Sequence, residues 1–171
     1  MIKWIVGLNG AGKTVFLEQK LDSYINEKNN VITNIRKVKY KDFDVKRLAL
    51  LQSEEADENI WDYGRLCISN NTIRIDTDGI DYTPEFLNII TLLCRKGNIL
   101  MLDEPELGLY GIEIDLLVKV LELLLPTYSE GYIATHCQEL FSLQPENFYW
   151  CEKYKLEKIT EKKLYEHIGQ F

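Results

Sequence analysis

Cysteine is sparse and scattered. Cys67, Cys94, Cys137 and Cys151 never form C-x-x-C, which argues against both a zinc site and a disulfide framework and leaves reduced, intracellular thiols as the expectation. Long apolar runs are lacking too: nothing approaches the roughly 18 consecutive apolar residues that a membrane span requires, and no charged-then-apolar leader precedes Gly7. A cytoplasmic protein is expected. Positive charge is in deficit, with a formal net charge of -7, so charge does not indicate a nucleic-acid partner. The one basic stretch, "IRKVKYKDFDVKR" from Ile35 to Arg47, reads as a solvated surface. Repeats and low-complexity tracts are absent. With hydrophobic residues at 46% of 171, the chain can bury one good core but not two, so a single domain over 1–171 is expected.

What is present alternates. "IKWIV" (Ile2 to Val6) is a short apolar run closed by glycine, the pattern of a buried strand feeding a loop. Lys13 opens a helix whose apolar positions Phe16, Leu17, Leu21, Tyr24 and Ile25 recur at intervals of three and four, and "NEKNN" ends it before a second strand at "VITNI". "RLCIS" and "TIRID" flank Asn70 and Asn71, residues that tolerate positive φ, so a small β-hairpin insertion is expected there. Thr83 and Pro84 suit a helix N-cap and first residue, with "EFLNIITLLCRK" following up to Gly97. Next come a buried strand "NILMLDE", an amphipathic helix "IEIDLLVKVLELL", a strand "GYIAT", a short helix "QELFSL" and a strand "NFYWCEK". The tail "YKLEKITEKKLYEHI" alternates too irregularly to choose between an edge hairpin and a helix. Alternating strands and helices imply an α/β fold, a mostly parallel sheet flanked by helices.

Gly7, Gly12, Lys13 and Thr14 fill G-x-x-x-x-G-K-[ST], with the strand before and the helix after that this motif demands. The glycines let the backbone wrap a phosphate, so that successive N–H groups point inward at the positive end of the helix. Lys13 is expected to reach the β and γ phosphates, and the Thr14 hydroxyl to sit on Mg²⁺. Asp103 falls at the carboxyl end of a buried strand, where ligands of open α/β sheets gather, and can hold the magnesium. Glu104 follows, suited to accept a proton from an attacking water. The strand "GYIAT" leads to His136, within reach of a γ-phosphate if that strand runs parallel to the first.

In this order, "GLNGAGKT", "LMLDEPELGLY" and "ATHCQEL" resemble the phosphate loop, acidic strand and switch histidine of the ABC-type ATPases. The resemblance is nearest to the soluble branch of recombination, chromosome-maintenance and phage-defence ATPases, whose acidic motif typically reads D-E-P-E-x-x-L-H. Asp103, Glu104, Pro105, Glu106 and Leu109 match it, and Tyr110 stands where histidine is usual. The similarity runs from Gly7 to about Leu140. It implies a P-loop NTPase fold that binds Mg·ATP and hydrolyses it. It makes Asn9, Gly10, Ala11, Gly12, Lys13 and Thr14 the phosphate cradle, Asp103 the magnesium acid, Glu104 the general base and His136 the γ-phosphate sensor. Leu107 and Gly108 then fall in a loop that faces a second subunit, which implies a nucleotide-dependent homodimer or an activating protein partner. The family's glutamine, which joins magnesium to the attacking water, has its plausible match in Gln52 of "LALLQSEEAD".

Two features depart from the family. Its members usually place an aromatic ahead of the phosphate loop to stack on adenine, yet six residues precede Gly7 here, and Trp4 among them reads as core. Adenine is then held by something else, or weakly. The signature motif, normally a serine and glycines opening the helix before the acidic strand, is replaced by "DYTPEFLNII". Pro84 has no N–H to give a partner's γ-phosphate, and Thr83 either offers its hydroxyl or serves as an ordinary N-cap. The long helical insertion of larger relatives is also missing. A reduced ATPase core is expected, slow by itself. The alternatives are a nucleotide-binding switch with little turnover and a small-molecule kinase, the latter disfavoured by "DEPE" before a histidine strand and by the lack of an arginine-bearing lid.

Overall fold

The computed structural model describes residues 1–27, 29–36, 44, 65–69, 72–76, 82–144 and 146–168, with backbone alone for 65–69, 72–76 and 168. In chain order the elements are β1 (Ile2–Val6), α1 (Lys13–Asn26), β2 (Val31–Thr33), β3 (Arg65–Ser69), β4 (Thr72–Asp76), α2 (Pro84–Leu93), β5 (Ile99–Asp103), α3 (Gly111–Leu124), β6 (Glu130–Ala134), α4 (Gln138–Phe141), β7 (Phe148–Glu152), β8 (Lys155–Lys158) and α5 (Glu161–Ile168). Six strands form one sheet in the order β2-β5-β6-β1-β7-β8. The first five run parallel, and β8 returns antiparallel along β7 to close the edge.

Both faces of this sheet are covered, which is why its strands read as unbroken apolar runs. Ile2, Trp4 and Val6 pack with Phe86 of α2, Leu117 of α3 and Leu164 of α5, while Ile5 joins Leu17 and Leu21 of α1 on the opposite face. Trp4 is wholly buried, as its place in the apolar run leads one to expect. Burying a side chain of this kind stabilises the fold by about 1.5–3 kcal/mol, so β1 is anchored from both sides.

Several boundaries differ from the sequence pattern, for local reasons. "VITNI" stops as a strand at Thr33 because the Asn34 side chain takes over the ladder: its Nδ2 donates to the Asp103 carbonyl at 2.8 Å and its Oδ1 accepts from the Asp103 N–H at 2.8 Å. The helix expected up to Gly97 ends at Leu93, where the Arg95 N–H turns back to the Leu92 carbonyl. The ambiguous tail is both of its alternatives in succession, since a two-residue turn returns the chain as β8 before α5 begins. β3 and β4 pair antiparallel from Arg65↔Asp76 to Ser69↔Thr72, as a separate hairpin; Asn70 and Asn71 at its turn lie outside the described residues.

Candidate functional site

The loop from Gly7 to Gly12 leaves the carboxyl end of β1 and enters α1 through Gly12, which adopts a left-handed conformation (φ 96°) with no side-chain cap. Neither end of that transition resembles the other long helices. α2 begins with Thr83 accepting from the Phe86 N–H and carries Glu85 in its first turn, and α3 carries Glu113; the first turn of α1 holds no acid. The first N–H groups of a helix have no partner within it, so α1 presents an uncapped positive end. Lys13 follows directly and is buried, its Nζ donating to the carbonyls of Gly7 at 3.0 Å and Leu8 at 3.1 Å. Burial pulls its ammonium below the ordinary lysine value, against the opposing pull of Glu104, Cys151, Asp103 and Glu106. Gly7 is required by proximity: a Cβ there would lie 2.6 Å from the Cys151 carbonyl of β7.

Asp103 closes β5 across from this loop. Burial, with the charge of Glu104, pushes its carboxyl up; a hydrogen bond from Thr14 and the nearby Lys13 draw it down. Oδ1 of Asp103 is buried without a hydrogen-bond partner. Among the described residues no cluster of three His, Cys, Asp or Glu could hold a metal. Magnesium asks for less, one or two protein oxygens completed by phosphate and water, and the Thr14 hydroxyl beside the unpartnered Asp103 oxygen fits that demand.

Glu104 adopts a positive φ of 43°, a conformation that costs a residue other than glycine about 1–3 kcal/mol and tends to gather at functional sites. Its N–H is tied to the Ala134 carbonyl at 2.8 Å, which holds the turn in place. The side chain is thereby brought toward β6, where Oε1 lies 3.5 Å from Nε2 of His136. Thr14, Lys13, Asp103, Glu104 and His136, drawn from three separate motifs, thus share one rim of the sheet. Asn9 lines an open cleft of about 660 Å³ together with Glu104, Leu107, His136 and Trp150. Gly10 and Ala11 continue the loop, the Ala11 N–H donating to the Leu8 carbonyl at 3.1 Å. Gln52 and most of the basic stretch from Ile35 to Arg47 lie outside the described residues.

Three side chains organise this rim and carried no role in the sequence pattern. Asn34 fixes the backbone of Asp103, as described above. Glu106 takes three bonds on Oε1, from the Thr135 hydroxyl (2.6 Å), the His136 N–H (2.9 Å) and the Cys137 N–H (3.2 Å), clamping the loop that carries His136. Glu113 is buried and joins two helix starts: it accepts from the Thr83 N–H (2.5 Å), the Thr83 hydroxyl (3.0 Å) and the Tyr110 N–H (3.0 Å). The Thr83 hydroxyl, open from sequence to either of two uses, is therefore spent within the fold, as N-cap to Phe86 and donor to Glu113. Burial and its bond to Glu139 push the Cys137 thiol up to about 12.

No protein-family model matches the chain, and no curated protein sequence matches it. Among solved structures it is similar to a chain in the complex of archaeal ribosomal stalk protein aP1 and archaeal ribosome recycling factor aABCE1, with a TM-score of 0.53 and 16% sequence identity. That likeness covers 87% of this chain and 31% of the other, so the present chain spans about a third of its neighbour's length. At such identity the likeness concerns the fold alone: an α/β arrangement with a mostly parallel six-stranded sheet flanked by helices. Among the described residues no helix is long and apolar enough to cross a membrane.

Proposed function

We propose that this chain is a reduced P-loop ATPase core of the ABC type, which binds Mg·ATP in the Gly7–Thr14 loop and hydrolyses it slowly unless a partner completes the site. The observation that carries the reading is the start of α1: an uncapped, acid-free helix end, entered through a left-handed glycine, with a buried lysine and a threonine bonded to an incompletely partnered aspartate. An anion with a bound divalent cation answers all of these at once. The N–H groups and Lys13 would take the phosphates, and Thr14 with Asp103 would hold magnesium, which would supply charge neutralisation at the phosphates. Glu104 would accept the proton of the attacking water, with His136 beside it near the γ-phosphate.

The partner requirement follows from α2. Pro84 has no N–H, and the Thr83 hydroxyl and the Phe86 N–H are already paired, so this helix start has little left to offer a nucleotide on a second subunit. Loss of one such donor typically slows a reaction about 10²-fold or more. Leu107 and Tyr110, 71% and 72% exposed beside Gly108, form the surface on which a second copy or an activating protein would close. Calorimetry with Mg·ATP tests the core of the reading: Lys13→Ala should weaken binding at least about tenfold, since its ammonium is the loop's fixed cation. Unchanged affinity in Lys13→Ala would overturn nucleotide binding by this loop.

A further inference from the structure

The turn joining β7 to β8 contains two residues, Lys153 and Tyr154, and both have positive φ, 47° and 66°. Such turns are ordinarily built from Asn-Gly or Asp-Gly, because a larger side chain in this conformation is strained. What Tyr154 touches explains why the larger residue is accommodated. Its N–H donates to the Ala11 carbonyl at 3.4 Å, and the Cys151 thiol reaches the same carbonyl at 3.7 Å, so the hairpin is braced on the glycine loop. Its ring lies against Gly12, where a Cβ would come within 2.3 Å of Cδ1 and 2.6 Å of Cε1. Tyr154 is nevertheless 57% exposed. An aromatic ring is thus laid on the loop backbone at the entry to α1 while the residue keeps more than half of its surface open.

Sheet order gives that position a meaning. β5 and β6, with Asp103, Glu104 and the approach to His136, lie on one side of β1, and β7 lies on the other. A triphosphate whose γ end faces the acids must send its nucleoside end toward the opposite flank of the loop, where Tyr154 stands. Resting on the nucleotide-binding reading above, we propose that Tyr154 is the stacking platform for the base. The platform discriminates nucleoside triphosphates from bare triphosphate and favours purines by their larger π-face, while every base can stack on it. Stacking alone carries no hydrogen-bond code, so ATP and GTP bind with similar affinity.

The experiment compares Mg·ATP, Mg·GTP and magnesium tripolyphosphate as ligands in calorimetry, on the parent protein, Tyr154→Ala, Tyr154→Phe and Lys13→Ala. Tyr154→Ala should weaken both nucleotides about tenfold, the loss expected of one stacked base, and leave tripolyphosphate unchanged; Tyr154→Phe should bind as the parent does. If Tyr154→Ala binds ATP as tightly as the parent, or loses tripolyphosphate and ATP equally, the stacking role is overturned while phosphate binding by the loop stands. A parent that binds neither nucleotides nor tripolyphosphate overturns the nucleotide reading and this inference with it. Thermal melts of Tyr154→Ala without ligand should stay close to the parent, since the brace of the hairpin on the loop is the Tyr154 backbone N–H to the Ala11 carbonyl, which alanine keeps.

Discussion

Removing the Glu113 carboxylate is the sharpest test of how the rim is built, because one buried anion there serves two helix starts. Glu113 is 3% exposed and accepts three bonds, two from Thr83 and one from Tyr110. Bonds to a charged acceptor are each worth about 1.5–3 kcal/mol net, and a helix N-terminus adds about 0.3–1 kcal/mol for a nearby anion. The simple sum overshoots what a single substitution costs, since Thr83 is half-buried and Tyr110 exposed, and water recovers part of what their N–H groups lose. Glu113→Ala should therefore cost about 3 kcal/mol, or about 6–12 °C in Tm for a chain of this size. Glu113→Gln is not a rescue. Oε1 accepts the Thr83 N–H while Oε2 accepts both the Thr83 hydroxyl and the Tyr110 N–H, so an amide must turn its NH₂ toward at least one N–H donor. Its expected cost is about 2 kcal/mol, or about 4–8 °C. Differential scanning calorimetry with urea titration measures both. A Glu113→Ala protein melting within about 1 °C of the parent would refute the shared-anion account, and a Glu113→Gln protein equal to the parent would refute the assignment of the bonds.

Glu104→Gln keeps shape and hydrogen bonding but cannot take a proton, so Mg·ATP binding should persist while phosphate release stops; equal release by mutant and parent would remove the role of base. Glu106→Ala should lose about 1–3 kcal/mol of stability, because the Thr135 hydroxyl it strands is wholly buried, and should lower kcat more than it changes KM as His136 shifts. Glu106→Gln should recover part of both, since its one oxygen can take all three bonds while its NH₂ replaces Oε2, which is buried without a partner; failure of Gln to do better than Ala counts against the clamp. The Asp103 carboxyl is raised above its ordinary value of 3.8, chiefly by burial, so its contribution to stability is fully present below about pH 3.8 and is lost as pH rises through the higher folded value. Urea unfolding between pH 4 and 7 without nucleotide should therefore show the parent losing stability relative to Asp103→Asn as pH rises, and a pH-independent difference would contradict it.

Much of the fold was legible because its signals are local. The apolar run of β1, the three- and four-residue spacing of α1, the Thr83–Pro84 start of α2 and the apolar strand ending at Asp103 are each encoded within a few neighbouring residues. The glycine loop and the acids were legible for the same reason, as spacings rather than shapes. Irregular local pattern failed where two short elements followed in succession, so β8 and α5 could not be separated without the pairing of β8 with β7.

The sequence by itself determined which residues could bear charge, wrap an anion or enter a strand. Tertiary structure alone decided which of them meet. That Glu106 grips the His136 loop, that Glu113 consumes the Thr83 hydroxyl, and that Tyr154 rests on Gly12 depend on contacts between residues from 29 to about 140 positions apart. No periodicity or cap rule reaches that far along a chain. Such contacts exist because sheet order sets β5 and β6 on one side of β1 and β7 on the other, and strand order is settled by how the helices bury both faces of the sheet.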